Sequence, residues 1–193
     1  MKRASSGLIH GREFHYLDHL APLCSILEIP LTVTDPDVAQ SARDYYPDLC
    51  VLEEDDLALG ERLVHHFDLI FYCTPRVLFD EAFFFSQKLL NKKIHTIWCP
   101  HGNSDKGKAS PFMEALQEEQ HALIYGNRML DFIKEKGVLQ RLKKYIFLGN
   151  YRYQYYLSQK EFYKKKINQY LSPLQKQKGP LILYAPTWQD HEN

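Results

Sequence analysis

With 193 residues and 45% hydrophobic content, the chain can bury one sizeable core, and its 24 acidic residues balance its 24 basic ones. Balanced charge offers no global field for nucleic acid, and the sequence shows neither a membrane-length apolar run nor the apolar core of a signal peptide. Cys24, Cys50, Cys73 and Cys99 are widely spaced among apolar neighbours, which suits buried thiols in a reducing cytoplasm better than a disulfide framework or a paired metal site.

The charge is uneven along the chain. Eight acids between Glu53 and Glu81 face only Arg62 and Arg76, whereas thirteen Lys or Arg from Arg128 to Lys178 face Asp131, Glu135 and Glu161. Strand-like and helix-like segments alternate. Gly7 to His10 reads as a short strand, and Tyr16 to Leu27 as a helix with Leu17, Leu20, Leu23, Cys24 and Leu27 on one stripe, bent at Pro22. Leu31 to Thr34 predicts a strand, Val38 to Tyr46 a helix, Cys50 to Leu52 a strand and Leu57 to His65 a helix. His65-His66 closes that helix, where a cation suits the helix dipole.

Asp68 to Cys73 reads as a buried parallel strand, Val77 to Leu90 as a helix whose Phe83-Phe84-Phe85 run fills the core, and Ile94 to Cys99 as a strand stopped by Pro100. A glycine-bearing loop follows, and Pro111 opens a helix. Strand His121 to Tyr125, helix Asn127 to Lys136 and strand Tyr145 to Leu148 continue the alternation, which predicts α/β: a Rossmann-like parallel sheet with helices on both faces. The first strand lacks GxGxxG, so a nicotinamide-binding protein is not supported.

After Gly149 the character changes. Tyr151 to Leu171 predicts one long, partly exposed helix; its Lys164-Lys165-Lys166 run suits a solvated face or a peripheral site for anionic head groups. A polar spacer leads to an apolar strand at Leu181 to Tyr184 and the loop Ala185 to Asp190. The expected organisation is a Rossmann-like domain over 1–150, a helix and spacer over 151–179, and the first strand of an incomplete domain over 180–193.

In an open α/β sheet, ligands bind beyond the carboxyl ends of the strands, so His101 and Lys106, in the loop after the Ile94 strand, invite a chemical reading. Gly102 and Gly107 would also suit a plain surface turn. His10, at the end of the first strand, points to the same crevice or serves a turn. His15 and His19 share a helical face without a third ligand at a usable spacing, and read as surface residues.

The motifs His101-Gly102-Asn103-Ser104-Asp105-Lys106-Gly107 and Leu183-Tyr184-Ala185-Pro186-Thr187-Trp188-Gln189-Asp190, separated by Gly149-Asn150-Tyr151-Arg152, resemble the CDP-glycerol glycerophosphotransferase family. The resemblance runs from about Ile94 onward. It implies a glycosyltransferase-B-like architecture whose N-terminal, acceptor-side half is this sheet, and enzymes of teichoic-acid-type polymer synthesis at the inner face of the bacterial membrane. It departs from the family pattern at Gln189, where arginine is usual, and in having a single lysine, Lys106, before Gly107.

Transfer of glycerol phosphate to a hydroxyl needs a base near neutral pKa and positive charge around the phosphoryl group. His101 fits the base, and Lys106, with Lys108 beside it, fits the charge. The resemblance implies substrate contacts at Gly102, Asn103, Ser104, Arg152 and Asp190, and the strand-end position adds His10 to the candidate substrate contacts. No metal or cofactor is expected beyond CDP-glycerol as donor substrate. The expected partners are that nucleotide donor, a hydroxyl or lipid-linked polymer acceptor, an anionic membrane surface met by 151–171, and a second chain supplying the nucleotide domain. The alternatives are a non-catalytic remnant or binding module of this fold, and a nucleotide-sugar glycosyltransferase-like protein.

Overall fold

A computed structural model of the chain describes residues 4–74, 76, 79–101, 116, 119–172 and 182. Among these, seven strands form one parallel sheet: β1 Ser5–Ile9, β2 Leu31–Val33, β3 Val51–Glu53, β4 Leu69–Tyr72, β5 His95–Trp98, β6 His121–Ile124 and β7 Lys144–Phe147. Their order is β3-β2-β1-β4-β5-β6-β7. The helices are α1 Phe14–Leu27, α2 Pro36–Tyr45, α3 Asp56–His66, α4 Asp80–Leu89, α5 Asn127–Glu135, α6 Tyr151–Ser158 and α7 Lys160–Leu171. The fold is therefore the expected α/β, Rossmann-like sheet.

Local chemistry explains the boundaries. Asp35 caps α2 by accepting from the Asp37 and Val38 amides at 2.9 and 3.0 Å, with Pro36 opening the helix, and Asp55 caps α3 through the Leu57 amide at 2.8 Å. Pro22 lies inside α1, which continues past it to Leu27.

Alternation along the strands sends side chains to two faces. Leu8, Ile70, Tyr72 and Trp98 join Leu59, Leu63 and Val64 of α3, Phe83 of α4, and Met129 and Ile133 of α5 in one apolar cluster. At its margin, Tyr72 Oη donates to the buried Glu119, whose other carboxylate oxygen lies 3.8 Å from Arg76, and Arg76 also donates to Thr96 Oγ1 at 3.0 Å. On the opposite face α1 lies so close to β1 that a Cβ on Gly7 would stand 2.4 Å from Cys24 Sγ. Glycine is required there by proximity.

Several expectations are corrected. The segment from Tyr151 to Leu171 is two helices, interrupted at Gln159, whose ψ of 17° leaves the helical range. Of the phenylalanine run only Phe83 is buried, while Phe84 and Phe85 are 56% and 46% exposed, because three consecutive helical residues cannot share one face. Cys50 is exposed, unlike the other three cysteines, because it precedes the short edge strand β3. The expected helix from Pro111 and strand Leu181 to Tyr184 lie outside the described residues.

The chain divides into two compact units, Met1–Tyr155 and Tyr156–Asn193. In the second, α7 buries no residue, and Tyr156 stacks on Tyr163 with ring centroids 5.8 Å apart. No described helix is long and apolar enough to cross a membrane.

Candidate functional site

The chain leaves β1 toward β2 and β3, then returns to β4 on the other side of β1, so the strand order reverses between β1 and β4. At such a switch point the two connections diverge and leave a crevice at the carboxyl edge of the sheet. His10 emerges there from β1, Cys73 and Thr74 from β4, and Pro100-His101 from β5. Thr74 is buried, and its hydroxyl has no hydrogen-bond partner among the described residues.

His101 reaches back to the first turn of α1. Its ring centroid lies 5.2 Å from that of Tyr16, 5.8 Å from His15 and 6.3 Å from Trp98. Burial pushes its pKa below 6.5 and the charge on His15 adds to this, while a hydrogen bond to the Cys73 backbone opposes both. At neutral pH the imidazole is neutral and can accept a proton. Burial, with Glu13 and Cys73 nearby, raises the Tyr16 hydroxyl to about 12, so it stays protonated beside His101. His10 sits 3.3 Å from Asp56 at the start of α3 and packs edge-on against Phe79.

Thus His10 and His101 flank the exit of β4. Gly102, Asn103, Ser104, Lys106, Lys108 and Asp190 lie outside the described residues, as do Leu183 to Trp188 of the second motif. Arg152 is half-exposed in the first turn of α6, 3.9 Å from Asp18.

His19 is not a surface residue: only 6% of it is exposed. The hydroxyl of Tyr151, brought in by α6, donates to the His19 carbonyl at 2.9 Å, and this cover from a distant element is invisible to a local helical pattern. Tyr125 lies 2.5 Å from His19 Nδ1 and 3.2 Å from the Pro100 carbonyl. A carbonyl only accepts, so the Tyr125 proton goes to Pro100 and His19 Nδ1–H donates to Tyr125. Tyr125 and Tyr151 stack with centroids 5.8 Å apart. Burial lowers the His19 pKa to about 3, helped by the positive charges of Arg152, His101 and His15.

Beside this cluster is a cavity of about 270 Å³ whose wall includes His19, Tyr125, Gly126, Arg128, Asn150 and Arg152. The sequence carries a signal for it that the motif reading missed. Adjacent strands β6 and β7 both exit through Gly-Asn and place an arginine in the next helical turn: Gly126-Asn127-Arg128 and Gly149-Asn150-Tyr151-Arg152. Gly149 has φ +63°, a left-handed turn that glycine adopts without strain, and Asn150 caps α6 by accepting from the Tyr153 amide at 3.1 Å.

Among the described residues no group of three or more His, Cys, Asp or Glu could hold a metal ion. Comparison with family models, curated proteins and solved structures finds no match for this chain.

Proposed function

We propose that the chain acts as a CDP-glycerol glycerophosphotransferase-like protein in cell-envelope polymer synthesis, moving glycerol phosphate from CDP-glycerol to a hydroxyl acceptor. The observation that supports it best is the neutral imidazole of His101, held among Tyr16, His15 and Trp98 at the carboxyl edge of the sheet. The His-Gly loop and the Ala-Pro-Thr-Trp motif suggest the substrate.

In this reading His101 removes the acceptor's hydroxyl proton as the oxygen attacks the phosphorus next to glycerol. The new P–O bond replaces the bond to the CMP phosphate, and CMP leaves with that electron pair. Lys106 and the loop amides balance charge on the phosphoryl oxygens. Arg152, His10 and Asp190 contact substrate. The exposed Lys164 and Lys165 of α7 meet anionic head groups at the inner membrane face.

The test is CMP release from CDP-glycerol, with a hydroxyl-bearing glycerol phosphate primer as acceptor. His101→Ala should lower turnover by about a hundred- to ten-thousand-fold with the fold retained. In the active protein, turnover should fall as pH drops through a pKa below 6.5, where His101 becomes protonated. Unchanged turnover in the variant removes His101 from the mechanism, and turnover of nucleotide sugars but not CDP-glycerol removes the proposed substrate.

A further inference from the structure

We infer that the cavity between the exits of β6 and β7 is a binding site for the phosphate group of a small phosphoester, held by Arg128 and Arg152. The site shares Arg152 with the transfer reading and adds Arg128, which that reading does not use.

Four observations carry it. The cavity, open on one side, measures about 270 Å³, just below the ~300–1,000 Å³ typical of ligand sites, which suits a phosphate with a short organic appendage better than a whole nucleotide. Two guanidinium groups line it, and none of the described lining residues is acidic. Arginine donors form a fork that matches phosphate oxygens two at a time. The Asp18 carboxylate near Arg152 is 3.9 Å away and 63% exposed, so it competes weakly for that fork.

The backbone adds to the same field. Gly126 precedes α5 without a side-chain cap, and Gly149 and Asn150 before α6 line the same cavity, so the amide ends of two helices border one space. The Gly-Asn exits bring both arginines there: β6 and β7 are paired in register, and each leads directly into a helix, through an extended Gly126 in one case and a left-handed Gly149 in the other. His19 closes the inner wall as a neutral ring, so the site's fixed charge comes from the arginines.

Glycerol 3-phosphate is the probe of choice, a choice that rests on the transfer reading, with inorganic phosphate and CMP as the other arms. Calorimetry on the whole chain should show saturable binding of glycerol 3-phosphate, weaker binding of inorganic phosphate, and at least about tenfold weaker binding of both to Arg128→Gln and to Arg152→Gln. Lys88→Gln, on the far helix α4, should bind as the parent does. The His19 ring resonances should titrate at higher pH when the site is filled, because a bound anion offsets the charge of Arg152.

Absence of saturable binding by glycerol 3-phosphate and phosphate, or binding indifferent to both arginine substitutions, overturns the site. Tighter binding of CMP through the same arginines overturns the small-phosphoester assignment. These outcomes are separate from the fate of the transfer reading, which stands or falls on CMP release and His101→Ala.

Discussion

On the sheet face covered by α3, α4 and α5, the strands present Leu8, Ile70, Tyr72 and Trp98 to a cluster filled by Leu59, Leu63, Phe83, Met129 and Ile133. On the opposite face they present Gly7, Phe71 and Cys73, and the covering helix α1 brings His15, Tyr16 and His19. The first face stabilises mainly by removing apolar surface from water, with the buried Glu119 carboxylate held by Tyr72 and Arg76. The second buries groups that titrate, and satisfies them locally: His19 Nδ1–H donates to Tyr125, while Tyr151 donates to the His19 carbonyl. The candidate site residues gather where this second face meets the carboxyl edge.

The sharpest way to break the contrast is Leu63→Ala, which empties part of the first face. Because Leu63 is fully buried, the expected loss is about 2–5 kcal/mol of unfolding free energy in urea titrations, with histidine resonances of the other face unmoved. Gly7→Ala attacks the second face by overpacking: the new methyl meets Cys24 Sγ and Leu31 Cδ1, and a loss of about 1–3 kcal/mol is expected. Adding Cys24→Ala should recover part of it, since the two positions touch.

A gentler test is pH. His19 holds a native pKa of about 3 against an ordinary 6.5, so between those values the unfolded chain binds a proton that the folded chain refuses. Its contribution to stability is complete above pH 6.5 and is lost progressively as pH falls toward 3. The slope is at most about 1.4 kcal/mol per pH unit. Urea titrations across that window should show the slope in the parent and a shallower one in His19→Leu, where His101 alone of the pair still resists protonation, whereas Leu63→Ala should keep the parent slope.

Much of this architecture is legible from residue order. Each of the seven strands falls within a residue or two of its apolar run; for the central strands this is because a parallel strand covered on both faces must be apolar on both, whereas no residue of the edge strands β3 and β7 is fully buried. His10 and His101 were marked by following strand ends, a rule that needs only the alternation of elements. His19 escaped because its burial depends on Tyr151, distant in sequence, and Arg128 escaped because its significance lies in a neighbour across β6 and β7. The break at Gln159 and the outward turn of Phe84 and Phe85 also came from packing: a helical run specifies periodicity, but not which part of the circumference the sheet will cover.

The four cysteines acquire a different meaning from the folded arrangement. Cys24, Cys73 and Cys99 are enclosed, and burial raises their thiol pKa values, whereas Cys50 is open to solvent. The thiolate is the reactive form, so the three inner thiols are protected twice, by lack of access and by protonation. They sit on α1 and at the ends of β4 and β5, the elements that assemble the His101 crevice. The native chain therefore carries one ready handle for a label, and three latent ones that become available only when the framework of its candidate site comes apart.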